Sequence, residues 1–159
     1  LIELGISKLK KKSDYKKISN IAGGESAGIP FASFLADRLN LPMTYIRKEK
    51  KRFGKNSQIE GLMKKKDNVL LVEDLMTDGG SKLEFLDAID SLGAKINGIF
   101  VIFNYGIVKD FYSFKRKKVD VTFLTNWKYV LDVALQKRIL NTKDIEIINN
   151  FLYKINIKN

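Results

Sequence analysis

Residues 69–81 read Val-Leu-Leu-Val-Glu-Asp-Leu-Met-Thr-Asp-Gly-Gly-Ser, and chemistry is written most densely there. A run of four apolar residues predicts a buried strand that delivers Glu73 and Asp74 to its exit. The turn that follows, Thr77-Asp78-Gly79-Gly80-Ser81, offers backbone N–H groups, two hydroxyls and a helix N-terminus to one phosphate. Its glycines let the backbone close around an anion without Cβ obstruction. Two carboxylates would repel a lone phosphate, but they suit sugar hydroxyls and a nearby magnesium ion. One ligand carrying a phosphate, vicinal hydroxyls and bound Mg²⁺ satisfies all of these groups together. Other phosphate motifs fail: Walker A needs Gly-Lys-Ser/Thr, whereas Gly80-Ser81-Lys82 runs in the reverse order, and Gly-x-Gly-x-x-Gly occurs at no strand exit. An isolated Glu-Asp pair would read as an ordinary helix cap; the whole arrangement argues for more.

Composition narrows the chemistry further. The 159 residues include no Cys and no His, which excludes a thiol nucleophile, a Ser-His-Asp triad, disulfides and a zinc site of the usual ligands. A metal here must be a hard cation held by oxygen, magnesium first. The net charge of +11 is uneven: residues 1–66 hold 16 Lys and Arg against 6 acids, and residues 67–159 hold 13 against 12. A basic half suits an anionic partner, a polyphosphate or a nucleic acid. Abundant Lys, Ile and Asn also have A/T-rich codons, so charge alone decides nothing. No apolar stretch is long enough to span a bilayer, and nothing points to secretion, so a cytoplasmic protein is expected.

The elements that must position these groups alternate between strand and helix. Residues 1–17 read as a helix end and a lysine-rich connector, 18–22 as a strand, and Gly23-Gly24 as a turn. A helix is predicted over 29–39, with Pro30 in its first turn, and a strand over 43–46. A basic loop, 48–58, follows. Beyond the strand at 69–72, Gly79-Gly80 opens a helix carrying Leu83, Leu86, Ile89 and Leu92. Strands over 96–103, with Gly98 a weak point, and 119–124 flank a short helix over 108–114. Two helices close the chain, over 127–139 and from an Asn141 or Thr142 cap to about 153. This is one α/β domain spanning 1–159: a parallel sheet flanked by helices, with any ligand beyond the carboxyl ends of the strands.

The 69–81 segment resembles the ribose-phosphate and pyrophosphate binding motif of the type I phosphoribosyltransferases. Ile21-Ala22-Gly23-Gly24-Glu25-Ser26-Ala27-Gly28-Ile29-Pro30 resembles that family's pyrophosphate loop. Tyr45-Ile46-Arg47-Lys48-Glu49-Lys50-Lys51-Arg52-Phe53-Gly54, continued by Gln58-Ile59-Glu60-Gly61, is similar to the mobile catalytic loop of the orotate phosphoribosyltransferases. Three motifs stand in family order over residues 18–104.

The resemblance implies that phosphoribosyl pyrophosphate is bound by Arg47, Lys48, Lys51, Glu73, Asp74, Leu75, Met76, Thr77, Asp78, Gly79, Gly80 and Ser81. Glu73 and Asp74 would hold the ribose hydroxyls and lie near Mg²⁺ through the ligand or water, with no direct protein ligand to the metal. Gly23, Gly24, Glu25 and Ser26 would form the pyrophosphate loop, and Thr77 and Tyr105 would meet orotate. Lys51, Arg47 and Asp74 would be the catalytic residues, in a cytoplasmic homodimer with shared active sites. The implied reaction transfers phosphoribosyl to orotate, giving orotidine 5′-monophosphate and pyrophosphate on the route to UMP. Three positions depart from the family pattern: Phe53 where a His is common, Ala27 where a Lys is common, and Tyr105 where many orotate enzymes carry an Arg. The family's N-terminal region is not matched, and the chain starts at Leu1, so a fragment or a truncated chain is expected. Two alternatives stay open: transfer to another base, and a non-catalytic regulatory or nucleic-acid-binding paralogue using the lysines of 8–17 and 115–118. Nucleic acid ranks last, because only Tyr15 interrupts the basic run to stack on a base.

Overall fold

The computed structural model of the chain describes residues 1–49, 58–77, 80–106, 114–115, 117–155 and 157, with Ser81 described in its backbone alone. Among the described residues six strands form one sheet: β1 (Asn20–Gly24), β2 (Met43–Ile46), β3 (Ile59–Glu60), β4 (Asn68–Met76), β5 (Lys95–Asn104) and β6 (Val121–Asn126). The spatial order is β3-β2-β1-β4-β5-β6, and only the β2–β3 edge pair is antiparallel. The helices are α1 (Ile2–Leu9), α2 (Gly28–Leu39), α3 (Gly80–Ser91), α4 (Trp127–Gln136) and α5 (Thr142–Lys154). From β1 the chain winds outward through β2, and from β4 it winds the other way. The β1–β4 boundary is therefore the place where such sheets open a crevice beyond their carboxyl ends.

Both sheet faces are covered, which is why β1 and the first half of β4 read as continuous apolar runs. Side chains alternate across the sheet. Ile21, Leu70, Val72 and Phe100 face α1 and α2, where Ile6, Leu9, Ala32 and Leu35 meet them. Ala22, Val69, Leu71, Ile99 and Val101 face α3, against Phe85, Leu86 and Ile89. Burying one such large side chain contributes roughly 1.5–3 kcal/mol, more than the 0–1 kcal/mol typical of a surface ion pair, so these two layers decide the fold. α2 sits directly on β4: a Cβ on Gly28 would overlap the carbonyl oxygen of Val72.

Several sequence expectations are corrected. Gly23 and Gly24 are not a turn; they belong to β1 and pair with Tyr45 and Ile46 of β2. β4 runs on to Met76, so Glu73 and Asp74 lie within the strand rather than beyond it. The N-terminal segment is a two-turn helix, α1, followed by a 3-10 turn over Tyr15–Lys17. β3 was not anticipated, because two residues carry no period. Gly98 marks a register shift between β4 and β5. α4 stops at Gln136, with Arg138 just past its end at a positive φ of 55°. Asn141, not Thr142, caps α5 through a reciprocal box with Asp144, at 3.0 and 2.9 Å. The helix expected over 108–114 lies outside the described residues except for buried Phe114.

Candidate functional site

Three connections leave the carboxyl edge of the sheet side by side: β1 to α2, β2 to β3, and β4 to α3. The first carries Glu25 and Ser26, joined by a cis peptide, in a tight turn. The Glu25 N–H donates to the Ile46 carbonyl at 2.9 Å, which fastens this turn to the end of β2. The Glu25 carboxylate accepts the Lys48 N–H at 2.9 Å and lies 4.0 Å from the Arg47 guanidinium. Ser26 is exposed.

The second connection is pinned at its base. The Arg47 N–H donates to the Gln58 carbonyl at 2.8 Å, and the Gln58 side chain donates back to the Arg47 carbonyl at 2.9 Å. Arg47 Nε donates to Glu60 at 2.9 Å, and Nη2 donates to the Tyr45 hydroxyl at 3.2 Å. The Glu60 carboxylate raises the Arg47 pKa further, so the guanidinium is fixed in direction and in charge. Lys48 is exposed beside it. Lys51, which the sequence places at the centre of the chemistry, lies outside the described residues, as does Phe53.

At the third connection, strand alternation separates the two acids. Glu73 turns toward α3 and is 3% exposed; Asp74 turns to the opposite face and is half-buried. Gly24 makes room for Glu73, since a Cβ there would overlap the carboxylate and the Phe85 ring. Lys82, in the first turn of α3, brings its ammonium to 3.6 Å from Glu73 Oε2. Among the described residues Glu73 Oε1 has no hydrogen-bond partner. Burial pushes the Glu73 carboxyl up to about 7, against the pull of Lys82 and with a push from Asp74. Thr77 is exposed at the strand end, and Leu75 is half-buried. The Met76 side chain is wholly buried in the core, and its carbonyl already accepts the Tyr105 N–H at 2.9 Å. The Met76 side chain is therefore withdrawn from the carboxyl edge. Asp78, Gly79 and the Ser81 side chain lie outside the described residues, while Gly80 begins α3.

The Tyr105–Met76 bond sets Tyr105 beside Thr77, so the two residues expected at the base are neighbours. The Tyr105 ring packs edge-on against Phe103 at 5.3 Å and Trp127 at 5.8 Å, with α4 and α5 behind. Trp127 Nε1 is buried with no hydrogen-bond partner among the described residues.

Sequence reasoning gave no individual role to Lys82, Glu60, Tyr45 or Trp127. Lys82 carried a signal, a cation two residues past a Gly-Gly turn, but its order served only to reject Walker A. Glu60 and Tyr45 are opposed across the short β2–β3 ladder, which no periodicity reveals. Trp127 is the chain's single Trp and stands at a strand exit.

Several of the other lysines are engaged away from this edge. Lys8 donates to the Phe123 carbonyl and lies over its ring, Lys12 pairs with Asp120 at 2.9 Å, and Lys117 pairs with Asp87 at 2.6 Å. Among the described residues no group of three or more acids converges on a metal position, and no helix is long and apolar enough to cross a membrane.

Comparison with known proteins agrees with this geometry. The phosphoribosyl transferase domain matches residues 3–134. The orotate phosphoribosyltransferase of Rhizobium rhizogenes is 40% identical over 153 residues, covering 96% of this chain and 66% of that protein. The enzyme of the same name from Dinoroseobacter shibae is 43% identical over 143 residues, covering 89% and 63%. The chain thus spans less than two thirds of the length of these relatives. The crystal structure of orotate phosphoribosyltransferase from Aeropyrum pernix superposes with a TM-score of 0.72 at 27% identity, over 82% of this chain and 72% of that one. With the match running through all three carboxyl-edge connections, the chain belongs to the phosphoribosyl transferase domain family.

Proposed function

We propose that this chain transfers the 5-phosphoribosyl group of phosphoribosyl pyrophosphate to orotate, giving orotidine 5′-monophosphate and pyrophosphate in pyrimidine nucleotide synthesis. The observation that carries the reading is the β4 exit, where Glu73, Asp74 and Thr77 lead into the N-terminus of α3. The names of the relatives support the choice of base.

In this reading the 5′-phosphate rests on the N–H groups and positive end of α3, and Asp74 and Glu73 accept the ribose hydroxyls. The C1′–oxygen bond to pyrophosphate breaks and a C1′–nitrogen bond to orotate forms, through an oxocarbenium-like ribose. Charge grows on the departing pyrophosphate, and Arg47, Lys48 and Lys51 meet it there; cations aimed at charge that develops in the transition state raise the rate. Closure of the 47–58 connection would exclude water. The ring N–H proton of orotate leaves as the C1′–nitrogen bond forms and can pass to the departing pyrophosphate, a basic anion, so no His or Cys is needed. Magnesium suits the donor set: carboxylates with free acceptor capacity and no protein cage match an ion that keeps its waters and the ligand's phosphate oxygens. Bound there, it would neutralise pyrophosphate charge. The enzyme works as a cytoplasmic homodimer in which Lys51 serves the partner's site, a reading that rests on the family resemblance.

The test is calorimetry of the full-length protein with phosphoribosyl pyrophosphate and Mg²⁺, followed by turnover with orotate against uracil. Absence of binding defeats the transferase reading. A second reading, transfer to another base, is favoured by Tyr105, whose hydroxyl offers one donor where a guanidinium offers a charged fork. Preference for uracil would select it.

A further inference from the structure

Lys82 has no part in the reaction as described above, yet among the described residues it is the cation placed most deeply at the site. It stands in the first turn of α3, with its ammonium 3.6 Å from Glu73 Oε2 and the two side chains 13% and 5% exposed. The second oxygen, Oε1, has no hydrogen-bond partner among the described residues and occupies the space that Gly24 leaves by having no side chain. A carboxylate removed from water needs a partner to stay charged, and a buried acceptor without a donor is an exception that calls for a ligand. Half of this carboxylate is engaged and half is left open.

We propose that Lys82 is a positioning residue that holds Glu73 Oε2, so that the carboxyl group keeps its orientation and leaves Oε1 to accept a hydroxyl of the bound sugar phosphate. The geometry follows from two local rules. Strand alternation turns residue 73 toward α3, and the first turn of that helix lies over the strand end it has just left. Lys82 therefore acts through Glu73, not on the ligand. The inference rests on reading the β4 exit as the pentose-phosphate site.

The test is a double-mutant cycle on the full-length protein, read by calorimetry with phosphoribosyl pyrophosphate and Mg²⁺. Lys82→Met should weaken binding about tenfold, the scale of a lost charge-assisted contact. Glu73→Gln should weaken it comparably, and the double variant should be no worse than either single one. Lys82→Arg, which keeps the charge, should restore most of the affinity. Thermal melts of every variant separate misfolding from lost affinity, and Lys82→Gln replaces Lys82→Met in the cycle if that variant does not fold. Unchanged binding in folded Lys82→Met, or losses that add in the double variant, would overturn the proposal, the second by showing that Lys82 meets the ligand itself. No binding by the unaltered protein would defeat the proposed function and this inference with it. Normal binding by both the unaltered protein and Lys82→Met would defeat this inference alone.

Discussion

Glu25 and Glu73 stand at neighbouring exits of the same sheet, and each faces a cation, yet they live under different physics. Glu25 is 30% exposed, accepts one backbone N–H and lies 4.0 Å from Arg47. Water screens that pair, so it is weak and exchangeable. The Glu73 side chain is 5% exposed, with one oxygen near Lys82 and the other without a partner among the described residues. Burial makes its charge expensive and its partner decisive. In the proposed reading a pyrophosphate anion would displace the first carboxylate from the loop base at little cost, whereas the second would keep its place. One exit is built to let go, the other to hold.

The sharpest way to break this contrast is to push the two exits apart. Gly28→Ala would set a Cβ against the Val72 carbonyl on β4, backbone against backbone. We expect a loss of roughly 3 kcal/mol in chemical unfolding, the upper range for overpacking. Gly24→Ala meets a carboxylate and a ring instead, atoms that can move. It should cost less stability while still abolishing binding of phosphoribosyl pyrophosphate. Equal stability losses for the two variants would contradict the close seating of α2 on β4.

A second effect, of intermediate size, belongs to Glu73 alone. Its carboxyl is raised from the ordinary 4.5 to about 7. The folded state thus binds the proton more tightly than the unfolded state, so the stabilising contribution is present at low pH and is lost as pH rises through that window. Glu73→Gln should remove a fall of roughly 1–3 kcal/mol between about pH 4.5 and 7, measured by denaturant unfolding at several pH values. A pH dependence identical in the variant would assign the fall to other groups.

The smallest change is expected at Glu25. Glu25→Gln should alter stability by no more than about 0.5 kcal/mol. Pyrophosphate should then bind about two- to threefold more tightly, because a like charge leaves the loop base. Weaker binding of pyrophosphate would mean that Glu25 orders the loop base more than it repels the anion.

The legible part of the molecule was the part written in local pattern. Apolar runs and helical spacing located β2 without error and β1, β4 and α2 to within a few residues. The glycine turn after residues 73 and 74 suggested the phosphate site on which the proposed function rests, because backbone N–H groups, carboxylates and hydroxyls have few other uses together. The absence of Cys and His excluded whole chemistries from composition alone. Strand ends were less legible. Polar residues normally stop a strand, yet Glu73 and Asp74 continue β4 because Val101 and Phe103 of β5 pair with positions 73 and 75. Gly23 and Gly24 look like a turn to any local rule and are strand residues only because β2 lies beside them.

The sequence by itself determined the fold class, the order of the three connections and the residue types available for chemistry, since these depend on spacing along the chain. Only the tertiary structure decided which carboxylate is buried, which cation answers it and which side chains are withdrawn. Adjacent residues on a strand face opposite ways, so Glu73 and Asp74 part company the moment a sheet forms. Lys82 meets Glu73 and Arg47 meets Glu60 across turns and ladders whose geometry no single segment contains. Burial then sets the energetics, because the same charge pair is worth little in water and much beneath a helix.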